Sequence, residues 1–137
     1  MAFLGETDDR LAIHELVASY ADAVSRRDAE SWGKTWAEDA IWHVPEFPGL
    51  QNLSGRDTIV AAWSVAMENF TLNYMSQTMG SMDLQGDRGT GVAYNHEIAY
   101  NLEGEITQAT GRYEDEYVKR DGTWLFAKRV YFPLHGF

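Results

Sequence analysis

Apolar residues recur at helical spacing early in the chain and at alternating spacing late in it. Ile13, Leu16, Val17, Tyr20 and Val24 fall on one stripe, which predicts a helix over residues 8–27. Thr7 or Asp8 can cap its start, and acids crowd the first turn, where they favour the helix dipole. Asp28 can cap a short second helix over 29–37 that carries Trp32 and Trp36. A strand is expected over 40–45, stopped by Pro45 and Pro48, with a loop running on to Gly55. A third helix is expected over 56–69, with Ile59, Val60, Trp63, Ala66, Met67 and Phe70 inward.

After residue 70 the period changes from helical to alternating. Strands are expected over 72–84, 89–101, 106–119 and 123–132, separated by turns at Gly86, at Glu103-Gly104 and at Asp121-Gly122. Asp-Gly between Tyr117-Val118 and Trp124-Leu125 is a strong hairpin signal. Helices first and a long meander last predict an α+β fold. Its expected form is a cone-shaped, curved antiparallel (mixed) sheet with three N-terminal helices packed on the concave face.

Composition narrows the functional classes. The chain has 137 residues, suited to one domain spanning 1–137, and 45% are hydrophobic. A net charge of −10 argues against nucleic acid and against an anionic membrane surface. There is no cysteine, hence no disulfide and no thiolate nucleophile. The four histidines, at 14, 43, 96 and 135, have no metal-binding spacing, so no metal is expected. No glycine-rich phosphate loop follows a strand, so no cofactor is expected either. No segment approaches the roughly 20 apolar residues of a membrane span, and the first residues lack a leader pattern. A cytoplasmic protein is the expectation.

Three local patterns resemble the SnoaL-like members of the nuclear transport factor 2-like superfamily. They are Tyr20 and Asp22 with Asp28 beyond, Trp36 and Asp39-Ala40 entering a strand, and Gly111 to Tyr117 leading to Asp121-Gly122, Trp124 and Lys128-Arg129. The resemblance covers nearly the whole chain. That family includes polyketide cyclases, steroid isomerases, scytalone dehydratase, hexachlorocyclohexane dehydrochlorinase and dioxygenase small subunits, so one fold hosts many functions. The resemblance implies a pocket between the curved sheet and the first helix, with a catalytic aspartate on that helix paired to a histidine on the sheet. Asp22 matches the aspartate. The dehydrochlorinase histidine falls on Asn73, while His96 falls near the histidine of scytalone dehydratase. The same correspondence puts Trp36, Tyr94, Ala109, Tyr113 and Arg129 on the pocket wall.

The residues themselves leave alternatives open. Asp22 lies nearly opposite the Ile13-Leu16-Tyr20 stripe, which reads as solvent-facing, although Ala18 and Ala21 leave room for a pocket. His96 is either a hydrogen-bonded strand residue or a general base held by Asp22. Asn73 is either a structural amide or a donor to an oxyanion. Tyr94 and Tyr113 are pocket wall, core, or proton donors. Arg129 either binds an acidic substrate group or pairs with Glu114 or Glu116. Asn95 and Glu97 are expected on the face opposite His96, toward solvent or an interface.

Two functions follow as expectations. One is a cofactor-independent lyase or isomerase (dehydratase- or cyclase-like) that takes a proton from a small hydrophobic ring compound through an Asp22–His96 base. The other is a non-catalytic small-molecule binding protein or assembly subunit. A homo-oligomer, dimer or trimer, is expected in either case, and the segment 133–137 either closes the pocket mouth or reaches a partner chain.

Overall fold

The computed structural model describes residues 2–135. Its elements are β1 (Phe3–Leu4), α1 (Thr7–Arg26), α2 (Ala29–Gly33), β2 (Trp36–His43), β3 (Leu53–Ser54), α3 (Arg56–Met67), β4 (Phe70–Gln85), β5 (Arg88–Asn101), β6 (Ile106–Arg120) and β7 (Thr123–His135). The strands form one mixed sheet in the order β1-β4-β5-β6-β7-β2-β3. The four long strands are antiparallel, while β1 joins β4 and β2 joins β7 in parallel.

Local chemistry accounts for most boundaries. Arg27 ends α1 in the left-handed conformation (φ 56°). Asp28 then caps α2 by accepting from the Ser31 backbone N–H at 3.0 Å. That N–H, the Ser31 hydroxyl and Arg26 hold the Asp28 carboxyl down at about 2. The cap of α1 differs from expectation: Glu6 occupies the position and makes no side-chain cap bond. The second helix is also shorter than expected, because Trp36 already belongs to β2, which therefore starts earlier than residue 40. The short strands β1 and β3 carry too few residues to show a period of two.

The core lies between the helices and the sheet. Ile13, Leu16, Val17, Tyr20 and Val24 are all buried, as the α1 stripe predicts. Trp32 stacks on Trp63 with ring centroids 4.7 Å apart and meets Trp36 and Trp42 edge-on. This aromatic block ties α2, α3 and β2 together at one end of the sheet. Beside the block, Ala99 and Ala109 put small residues on the same face of the sheet.

Candidate functional site

Each sheet residue faces the helices or the outside, and the register fixes which. On β5 the buried, inward residues are Ala93, Asn95 and Ala99, and Glu97 shares their face. Tyr94, His96, Ile98 and Tyr100 alternate outward, and Tyr94 is 45% exposed. This reverses the face expected for Asn95 and Glu97. Both faces of β5 bear apolar residues, and the structure turns the small ones inward and the bulky ones out. Ala99, Ala109 and Gly111 thereby hollow the concave face.

The result is a cavity of about 370 Å³ between the sheet, α1 and α3. Its walls are mostly apolar, with rings from Tyr20, Trp42, Trp63, Phe70, Tyr113 and Tyr131 set among aliphatic side chains. The Phe47 loop between β2 and β3 covers one side, and Pro133 contributes from β7. Residues 136–137, part of the segment expected to close the mouth or cross to a partner, lie outside the described residues. Gly111 is essential to the shape. A Cβ there would sit 2.2 Å from the Tyr131 ring, so the ring occupies space only glycine leaves free. A larger, shallower groove of about 570 Å³ lies along the opposite face of the sheet, beside Asp83, Glu114, Glu116 and Lys128.

The polar equipment of the cavity is sparse. Glu97 reaches into it from mid-strand, flanked across the sheet by Met75 on β4 and Ala109 on β6. Neither neighbour can hydrogen-bond a carboxylate well. Burial against these apolar groups pushes the Glu97 carboxyl up to about 7. Asn95 sits one pleat away, and Gln77 fixes it by donating Nε2 to Asn95 Oδ1 at 2.9 Å. The Tyr131 hydroxyl is buried and has no well-formed hydrogen bond among the described residues, although Asn95 lies close to it. Burial, with Tyr113 and Glu97 nearby and against the pull of Asn95, raises it to about 12, so it stays protonated at neutral pH. Glu46 is the other charged residue of the lining.

A second charged group lies behind this wall. Arg129 is fully buried and donates Nε and Nη2 to Asp115 at 2.7 and 3.1 Å. Its guanidinium packs over Tyr113, Phe126 and Tyr20, 4.0, 4.2 and 4.4 Å from the ring centroids. Burial opposes the charge, but Asp115 outweighs it and raises the pKa of the guanidinium. Asp115 is pushed up by burial against the pull of Arg129. A fork this close keeps the pair ionic.

The expected dyad is not assembled. Asp22 is an exposed side chain, 64% accessible, that pairs with Arg26 one turn along α1 at 2.9 Å. The residue that α1 turns onto β4 is Ser25, whose Oγ accepts from the Met75 backbone N–H at 2.9 Å. His96 points away from the helices, with Nε2 3.5 Å from Gln108 Oε1. The two residues thus sit on opposite sides of the sheet. Asn73 is buried but outside the lining, its Oδ1 accepting from Arg27 Nη1 at 2.7 Å. Trp36 is core, and Tyr94 covers Gly80 on the outer face. Arg129 pairs with Asp115 rather than Glu114 or Glu116, and supports the wall from behind. Of the residues expected on the wall, Ala109 and Tyr113 line the cavity.

Asn95 and Glu97, expected toward solvent or an interface, and Tyr131 and Glu46, which no sequence pattern singled out, are the lining residues that the expectations missed. The one available signal was the spacing of Asn95, Glu97 and Ala99, which places three residues on one face without saying which face. Among the described residues no three His, Cys, Asp or Glu side chains gather into a metal site, and no helix is long and apolar enough to cross a membrane.

Known structures share this architecture. A protein of Novosphingobium aromaticivorans named for an aromatic ring hydroxylase superposes with a TM-score of 0.87 at 22% identity, over 96% of this chain and 92% of that one. Another from the same organism, named for scytalone dehydratase, gives 0.83 at 19% identity, over 93% and 85%. A type 2 hexachlorocyclohexane dehydrochlorinase gives 0.80 at 21%, over 95% and 91%. At these identities the likeness establishes the fold alone. No curated protein matches the chain. The profile of the SnoaL-like domain matches residues 5–130, most of the described chain, and the protein belongs to the SnoaL-like domain family.

Proposed function

We propose that the protein is a cofactor-independent lyase or isomerase for a small hydrophobic ring compound, with Glu97 as the proton-transferring group. The observation that supports this most is an unpaired carboxyl in an aromatic cavity, held near neutrality by its surroundings. A base works best when its pKa lies near the working pH. The dehydratase and dehydrochlorinase names among the structural neighbours belong to those proteins, and they make proton abstraction the natural chemistry to test.

Ionised Glu97 takes a proton from a carbon next to an electron-withdrawing group. The electron pair left on carbon then expels a leaving group from the adjacent carbon, or is delocalised into an oxyanion. In an isomerisation neutral Glu97 returns its proton to a second carbon. In an elimination it releases the proton to water. Asn95, fixed through its Oδ1 by Gln77 and standing beside the Tyr131 hydroxyl, offers its amide N–H to a developing oxyanion, and protonated Tyr131 is the second donor on that wall. Asp22 and His96 have no part in this scheme.

A second reading also has an observation behind it. The helix–sheet dyad is not assembled, which favours a non-catalytic binding protein or assembly subunit. A homo-oligomer formed through the outer sheet face, where Leu72, Tyr74, Tyr94, Tyr100 and Ile106 are exposed, fits either reading. Screening cyclic ketones and halogenated rings for proton exchange in deuterated water separates the two. Exchange that disappears in Glu97→Gln supports the enzyme. Ligand binding without exchange, unchanged by that substitution, supports the passive binder.

A further inference from the structure

Aromatic rings contribute to the cavity wall from α1, β2, α3, β6 and β7, and its two charged lining residues are both acidic. Glu97 sits within the wall and Glu46 at the loop over it, and among the described residues no Lys, Arg or His side chain contributes to the lining. The buried cation of the wall, Arg129, is neutralised by Asp115 and lies behind the Tyr20 and Tyr113 rings, and Arg27, which donates to the Met67 carbonyl, is not in the lining. A ring face is electron-rich, and a lone carboxylate in an apolar wall lacks a counterion. Three polar atoms at or beside the site are also unsatisfied among the described residues: the Tyr131 hydroxyl, on a residue only 9% exposed, Gln77 Oε1 and Trp42 Nε1. The two oxygens can accept hydrogen bonds, and the indole N–H can only donate.

From this geometry we infer that the cavity binds lipophilic ammonium ions, with Glu97 as the counterion and the surrounding rings as a cation–π cage. The bound species is an amine carrying a compact apolar body of about one substituted ring, consistent with a cavity of about 370 Å³. Its N–H groups donate to the Glu97 carboxylate, and the Tyr131 hydroxyl oxygen can accept another. Carboxylates and phosphates of the same shape are excluded, because they would meet two acidic groups and no free cation. This inference shares with the proposed function the reading of Glu97 as the cavity's ionisable group, but it needs no turnover.

Binding is coupled to pH. The ammonium pairs with ionised Glu97 only, so affinity falls as Glu97 takes up a proton. Among the described residues, the titratable groups that line the cavity with Glu97 are Glu46 from the β2–β3 loop, Tyr20 from α1, Tyr113 from β6 and Tyr131 from β7. The neighbours supplied by β4 and the adjoining part of β6, Met75 and Ala109, do not titrate. Burial raises all three tyrosines, which stay neutral across the range. Glu46 is exposed and adds charge at the mouth.

The test uses 4-tert-butylbenzylamine, 4-tert-butylbenzyl alcohol and 4-tert-butylbenzoate, which share one shape and differ in charge. Binding is followed by calorimetry and by the fluorescence of Trp42 and Trp63 from about pH 5 to about pH 8, where the amine stays protonated. The amine is expected to bind at least about tenfold tighter than the alcohol at the upper end. Its affinity should fall by about tenfold per pH unit below about 7, while the alcohol stays flat. Glu97→Gln should bring amine and alcohol level. An amine that binds no tighter than the alcohol, a preference for benzoate, or a pH-independent amine affinity overturns the inference. If Glu97→Gln fails to fold, the wild-type pH profile decides alone. Amine binding with no proton exchange on any ring compound would sink the catalytic reading and leave this one standing.

Discussion

Asp115, buried, and Glu97, half-buried, are two carboxyls on the same face of one sheet, and they lead opposite lives. Asp115 accepts two hydrogen bonds from Arg129, whose guanidinium is in turn packed among three aromatic rings. Glu97 has Met75 and Ala109 beside it and no hydrogen-bond or ion-pair partner among the described residues. Burial acts on both, but only Asp115 has a counterion to oppose it. The paired carboxyl belongs to the architecture of the wall. The unpaired one, facing a cavity, is available to a ligand. A buried charge therefore signals function through the partner it lacks, more than through burial itself.

The strongest way to break the comparison is to orphan the paired site. Asp115→Asn leaves Arg129 charged and uncompensated in the core, and should cost about 3–5 kcal/mol in denaturant unfolding. Replacing both partners with apolar residues should cost far less, since no charge is stranded.

Glu97→Gln should act in the opposite direction on stability. The folded protein holds the Glu97 proton up to about 7, whereas the unfolded chain releases it near 4.5. The native state thus binds more protons within that window, and stability falls as pH rises through it. Above the window, the substitution should stabilise the protein by up to about 3 kcal/mol, and below about 4.5 it should be neutral. Any proton-abstraction activity should drop about 10²–10⁴-fold in the same variant.

Gly111→Ala tests the space rather than the charge. Its Cβ would drive the Tyr131 ring into the cavity, costing about 1–3 kcal/mol in thermal unfolding and weakening every ligand irrespective of charge. The smallest effects are expected at the dyad that the sequence suggested. Asp22→Asn removes one exposed i,i+4 ion pair, and His96→Gln changes an outward-facing ring, so both should leave ligand affinity and turnover unchanged.

How far the sequence led depends on the element. The stripe on α1 named its core residues, Asp28 announced the α2 cap, and the Asp-Gly turn set the last hairpin, because each signal is local. Facing on the sheet was another matter. Asn95, Glu97 and Ala99 alternate as legibly as Tyr94, His96 and Ile98, and no local rule states which set the helices will cover. Arg129 shows a further obstacle. Tyr117 pairs with Phe126 but Glu116 with Lys128, so a bulge shifts the parity of β7 and turns Arg129 inward. Asp22 misled for a simpler reason: the resemblance placed an aspartate on the first helix, while the period of that helix had already turned Asp22 outward and Ser25 toward β4.

The most direct test of the central claim is the titration of Glu97 itself, followed through its carboxyl carbon by NMR with Glu97→Gln to assign the signal. The account predicts a midpoint of about 7, shifted downward by the bound benzylamine. A midpoint at the ordinary carboxylate value, unmoved by ligand, would contradict it and make Glu97 one more solvated acid on an acidic protein.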